Sequence, residues 1–78
     1  MENTPAVDEL VLAAWCDILD VRSPSPDDDF FDLGGNSLLA VTLVERIEDA
    51  LGAEIPLEEF FLDGRLASLL DSARTAAK

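Results

Sequence analysis

The stretch DDDFFDLGGNSLLAVTLVERIEDAL, residues 27–51, decides how the rest of the chain is read. Its first half is punctuation, with three aspartates in a row and then Gly34-Gly35. A glycine pair lets the backbone turn sharply, because φ > 0 carries no steric penalty there. Its second half is periodic. On a wheel of about 100° per residue, with Ser37 at zero, Ala40, Leu43, Ile47 and Leu51 cluster on one side as a core stripe. Leu38 and Val41 fall on the other side, with Ser37, Glu45, Glu48 and Asp49. The pattern predicts a helix over 37–51, opened by Ser37 and stopped by Gly52.

Ser37 thus stands where free N–H groups and the positive end of the helix dipole favour an anion. A phosphoester on Ser37 is stabilised there and would not be in mid-helix. The apolar pair Leu38 and Val41, ringed by Glu45, Glu48 and Asp49, has no use in the core. An exposed apolar patch with a polar rim reads as a docking site, and its carboxylates point to a basic partner.

Outward from this stretch the chain stays helical. Val7, Leu10, Val11, Ala14, Trp15 and Ile18 share one face of a helix over 7–20, with Trp15 in the core and Cys16 opposite it as an inert surface thiol. Residues 21–36, with Pro24, Pro26 and Gly34-Gly35, form a long first loop. Some of its apolar residues, Val21, Phe30, Phe31 and Leu33, must plug into the core. Ile55-Pro56 introduces a short helix over 57–62, ended by Asp63-Gly64, and Leu66, Leu69, Leu70 and Ala73 mark a buried face on a helix over 65–76. Residues 1–6 read as a flexible N-terminal end. The expected fold is all-α, a four-helix bundle with three main helices and a short third one, forming a single domain over 7–76.

Composition excludes whole classes of function. The chain has 78 residues, 17 Asp+Glu against 5 Lys+Arg, a net charge of −12 and no histidine. Five cations cannot build the basic face that nucleic acid or an anionic membrane requires. A chain without histidine cannot build a Ser-His-Asp or Cys-His centre by itself. Gly35-Asn36-Ser37-Leu38-Leu39 also lacks the second glycine of a hydrolase nucleophile elbow. Asp27-Asp28-Asp29 does not open a calcium loop: the glycine expected at position six is Asp32 and the glutamate at position twelve is Leu38. No metal site is expected. One cysteine forms no internal disulfide, and MENTPAVDEL carries no export signal, so a cytoplasmic location is expected. With 49% apolar residues the chain can fold. Self-repulsion works against it, so stability should be marginal and should improve with salt or a cationic partner.

The run from Phe30 to Val41, FFDLGGNSLLAV, resembles the signature of the phosphopantetheine-dependent carrier proteins, the acyl and peptidyl carriers of fatty-acid, polyketide and nonribosomal-peptide assembly. The resemblance covers nearly the whole chain. Leu12-Ala13-Ala14-Trp15 and Ile18-Leu19 resemble the family's first helix, Ile55-Pro56-Leu57 with Phe60-Phe61 its short third helix, and Leu66-Ala67-Ser68-Leu69-Leu70 its last. Two glycines followed by Asn36 look more like the peptidyl or aryl carriers than the fatty-acid ones. Arg65-Leu66 stands where a Pro-Thr pair is common in peptidyl carriers.

The resemblance implies that Ser37 is the attachment point of 4′-phosphopantetheine, transferred from coenzyme A by a separate phosphopantetheinyl transferase that brings its own base and metal. It implies a non-catalytic, monomeric carrier that holds an aminoacyl or peptidyl cargo as a thioester. The implied partners are an adenylation or other loading enzyme, then condensation, tailoring or thioesterase enzymes, which read Leu38, Val41, Glu45, Glu48 and Asp49. The alternatives are an acyl carrier of polyketide-type assembly and, more remotely, an acidic adaptor module. The length fits a free-standing carrier and an excised domain equally.

Overall fold

A computed structural model describes residues 6–77. It contains α1 (Val7–Leu19), α2 (Ser37–Leu51), α3 (Leu57–Leu62) and α4 (Leu66–Ala76), with no strand among the described residues. This is the expected all-α bundle with a short third helix and a long first loop. The flexible end expected over 1–6 lies outside the described residues except for Ala6, the residue before α1. Among the described residues no helix is long and apolar enough to cross a membrane.

Two helix boundaries differ from expectation by one residue. The first helix ends at Leu19 because Asp20 turns into the left-handed region at φ 57°, with its N–H donating to the Cys16 carbonyl. The fourth begins at Leu66 because Arg65 is extended. The second and third helices cover the expected residues.

The core is built around one loop residue. Phe30 is fully buried, and its ring meets Trp15 of α1 edge-on at 5.6 Å, Phe31 at 5.4 Å and Phe60 of α3 at 5.3 Å. Each such pair contributes about 0.5–1.5 kcal/mol beyond the area it buries. Around this cluster pack Val11, Leu43, Ile47, Leu66 and Leu69. The α2 stripe is shifted from the expected one: Val44 is buried with Ala40, Leu43 and Ile47, while Leu51 is only half-buried. Packing against both α1 and α3 widens the face that α2 must bury. On α1, Leu12 and Leu19 pack against the core and Leu10 does not. Cys16, expected on the surface, is half-buried.

The loop does a second job that its sequence did not suggest. The first N–H groups of a helix have no intrahelical partner, and Arg65 supplies no side-chain cap to α4. Loop carbonyls replace it: Leu66 N donates to Asp28 O at 2.8 Å and Ala67 N to Pro26 O at 3.0 Å. In return Phe30 N donates to Gly64 O at 2.8 Å. The aspartates serve this turn. Asp28 Oδ2 accepts from Ser25 N at 2.9 Å and Asp29 Oδ1 from Phe31 N at 2.9 Å. Among the described residues no cluster of acidic side chains with the makings of a metal site is assembled.

Candidate functional site

The end of the loop delivers Ser37 to the start of α2. Gly34 makes the turn at φ 103°, in open space. Gly35 has a different reason to be glycine. Its N–H donates to Phe30 O at 3.0 Å, and a methyl group on its Cα would overlap the Phe30 ring. Asn36 follows in extended conformation, and its Oδ1 accepts from Leu39 N at 2.9 Å.

Asn36, and not Ser37, is therefore the cap of α2. Ser37 is the first helical residue, and it is exposed. Sequence reasoning placed the serine at the helix start but could not separate a capping serine from an uncommitted one. With Asn36 capping, the Ser37 hydroxyl has no capping duty. The Asn36 side chain takes the Leu39 N–H and its carbonyl the Ala40 N–H at 2.8 Å, while the Ser37 and Leu38 N–H groups sit where a helix leaves donors open. The first turn of α2 carries no acidic residue, whereas α1 begins with Asp8 and Glu9 and α3 with Glu58 and Glu59. In a chain of net charge −12, this keeps the positive end of the α2 dipole free of carboxylates from its own first turn.

The residues expected to form a partner surface do not share one environment. Leu38 is 75% exposed. Val41 is half-buried. Glu45 and Asp49 are exposed. Glu48 is half-buried, and its Oε2 accepts from Ile55 N at 2.7 Å, which ties the end of α2 to the segment before α3.

Further exposed apolar groups were missed from sequence. Leu62 is 88% exposed, Phe61 42% and Leu33 38%. Phe61 stacks on Phe31 at 6.1 Å, which joins α3 to the loop that carries Leu33. The signal was present: Phe60, Phe61 and Leu62 are consecutive in a helix of six residues, and one turn cannot bury all three. Two hollows of about 210 and 250 Å³ lie along the seam of α3 and α4, and Ser37 lines neither.

The family described as "Phosphopantetheine attachment site" matches residues 9–72. The chain belongs to this family. Curated relatives agree. Residues of this phosphopantetheine-attachment domain are 36% identical over 72 positions to a dimodular nonribosomal peptide synthase of Bacillus subtilis, covering 88% of the chain. They are 33% identical over 66 positions to phosphinothricin tripeptide synthetase PhsC of Streptomyces viridochromogenes, covering 85%. The domain spans only 3% and 6% of those two proteins. Among solved structures, one titled "Non Ribosomal PCP domain" aligns with a TM-score of 0.69 at 33% identity, over 86% of this chain and 88% of that one.

The domain's own residues fit the group that the family carries. A covalent phosphodiester needs an exposed hydroxyl with free space and donors beside it, and the start of α2 offers these at Ser37.

Proposed function

We propose that Ser37 is the attachment point of 4′-phosphopantetheine and that residues 7–76 act as one carrier of aminoacyl or peptidyl cargo in nonribosomal-peptide assembly. The observation that carries this reading is the Asn36 cap, which leaves an exposed serine hydroxyl uncommitted at the first position of α2. When bound, the group supplies a thiol on a flexible arm, which holds cargo as a thioester. The chain's own part is to present the hydroxyl, to favour the phosphodiester charge through the α2 N-terminus, and to offer a surface to partner enzymes. It needs no base of its own, which reconciles a reactive serine with the absence of histidine. The peptide-synthase character of the relatives supports peptidyl over acyl cargo.

A phosphopantetheinyl transferase would act on Ser37, an adenylation or other loading enzyme would charge the arm, and condensation, tailoring or thioesterase enzymes would receive the cargo. Leu38, Val41, Glu45 and Asp49 would meet them, joined by Phe61 and Leu62 of α3. Each encounter must end before the next begins, so the interfaces should be small and short-lived. The setting would be the cytoplasm, with the carrier as a monomer.

Intact mass tests the reading. Incubated with coenzyme A and a broad-specificity transferase, the parent should gain one phosphopantetheine group and Ser37→Ala none, with both variants folded. No gain on a folded parent, with a control carrier modified in parallel, would leave the acidic face as the binding surface of an adaptor.

A further inference from the structure

We infer that Phe30 is a positioning residue for the modification of Ser37, acting through Gly35. The inference rests on Ser37 being the attachment point. Phe30 does not touch the reacting hydroxyl; it is fully buried and seven residues away in sequence. Its position is overdetermined. Trp15 of α1 lies against its ring at 5.6 Å, Phe60 of α3 at 5.3 Å, and its N–H is held by Gly64 O at 2.8 Å.

The turn that carries Ser37 rests on this fixed ring. Gly35 N donates to Phe30 O at 3.0 Å, and the Gly35 Cα lies so close that an added methyl would overlap Cδ2 and Cε2 of the ring and come within 2.7 Å of Phe30 O. The two glycines therefore do different work. Gly34 supplies a positive φ and has nothing near it, whereas Gly35 supplies a close approach. From Gly35 the chain runs through one extended residue, the Asn36 cap, into Ser37. Any displacement of Gly35 from the ring is passed along that short segment to the hydroxyl.

A transferase must align this hydroxyl with the phosphorus it attacks, and a misplacement of about 1 Å can cost on the order of 100-fold in rate. The groups expected to recognise the partner, Leu38 and Val41 among them, remain. The defect should thus fall on kcat of modification and spare KM.

The test is a time course of phosphopantetheine transfer, followed by intact mass at saturating and limiting carrier concentrations. Trp15 fluorescence and circular dichroism confirm folding of each variant. Gly35→Ala is expected to lose at least about tenfold in kcat, with KM within about twofold of the parent. Ala73→Gly is the control for destabilisation alone. Ala73 is fully buried within α4, its backbone bonds none of Phe30, Gly35 and Asn36, and a glycine there costs about 1 kcal/mol of helix stability, so kcat should stay within about threefold. Phe30→Leu combined with Gly35→Ala removes the overlap with the ring but keeps the 2.7 Å approach to Phe30 O, and should recover only part of the lost kcat. Phe30→Leu alone loosens the seat and should lower kcat by at least about threefold, with KM unchanged. This variant decides the matter if Gly35→Ala does not fold.

Parental kcat in Gly35→Ala, equal losses in Gly35→Ala and Ala73→Gly, or parental kcat in Phe30→Leu would each overturn the positioning role. A parent that is never modified would instead overturn the attachment reading itself.

Discussion

Asn36 Oδ1 accepts a hydrogen bond from Leu39 N at 2.9 Å, and this contact caps the helix that begins with Ser37. Removing a side-chain cap costs about 1 kcal/mol. Asn36→Ala should lose about that much in urea denaturation, and Asn36→Asp should stay within a few tenths of a kcal/mol of the parent. If Asn36→Ala is as stable as the parent while Ser37→Ala is not, the serine is the true cap.

Glu48 separates a structural carboxylate from the solvated ones on the same helix. Its Oε2 accepts from the part-buried Ile55 N at 2.7 Å. Glu48→Ala leaves that donor without its partner and should cost about 1–2 kcal/mol. Asp49→Ala, at an exposed position, should change stability by less than about 0.5 kcal/mol. Equal effects in chemical denaturation would show that the Ile55 contact contributes nothing to the fold.

Salt should stabilise the protein. It screens two opposed effects together: the attraction within the ion pairs Arg46–Asp17, Arg65–Asp63 and Arg74–Asp8, and the repulsion among the remaining carboxylates. Exposed pairs are worth little, and these three are exposed. With 17 acidic and 5 basic residues the repulsion outweighs the attraction. Tm should rise as sodium chloride goes from about 10 mM to about 500 mM, where the Debye length shrinks from roughly 30 Å to under 10 Å. A falling Tm would mean that the pairs dominate.

Acid should remove one specific contribution. Hydrogen bonds from Arg65 and then Ser68 hold the Asp63 carboxyl far below the ordinary aspartate value of 3.8. The folded state therefore gives up this proton more readily than the unfolded chain. The contribution is fully present above pH 3.8 and is lost as pH falls below that value toward the folded one. The Tm gap between the parent and Asp63→Asn should be constant from pH 7 to pH 5 and shrink below about pH 3.8. A gap that widens in acid would reverse the sign of the linkage.

By itself the sequence determined the helices and the place of the serine. The apolar spacing of α2 and α4, the prolines of the first loop and the Gly34-Gly35 turn are local signals, and each marks its own element without reference to the rest of the chain. The run FFDLGGNSLLAV was specific enough to indicate the family before any packing was known. Tertiary structure alone decided which residue performs which task. The Asn36 cap, the loop carbonyls that complete α4, the Glu48 contact with Ile55, and the ring of Phe30 under Gly35 all join atoms whose separation depends on how the chain turns between them. Periodicity says which face of a helix is apolar. It does not say how many neighbours that face will meet, which is why Val44 is buried and Leu62 is left in solvent.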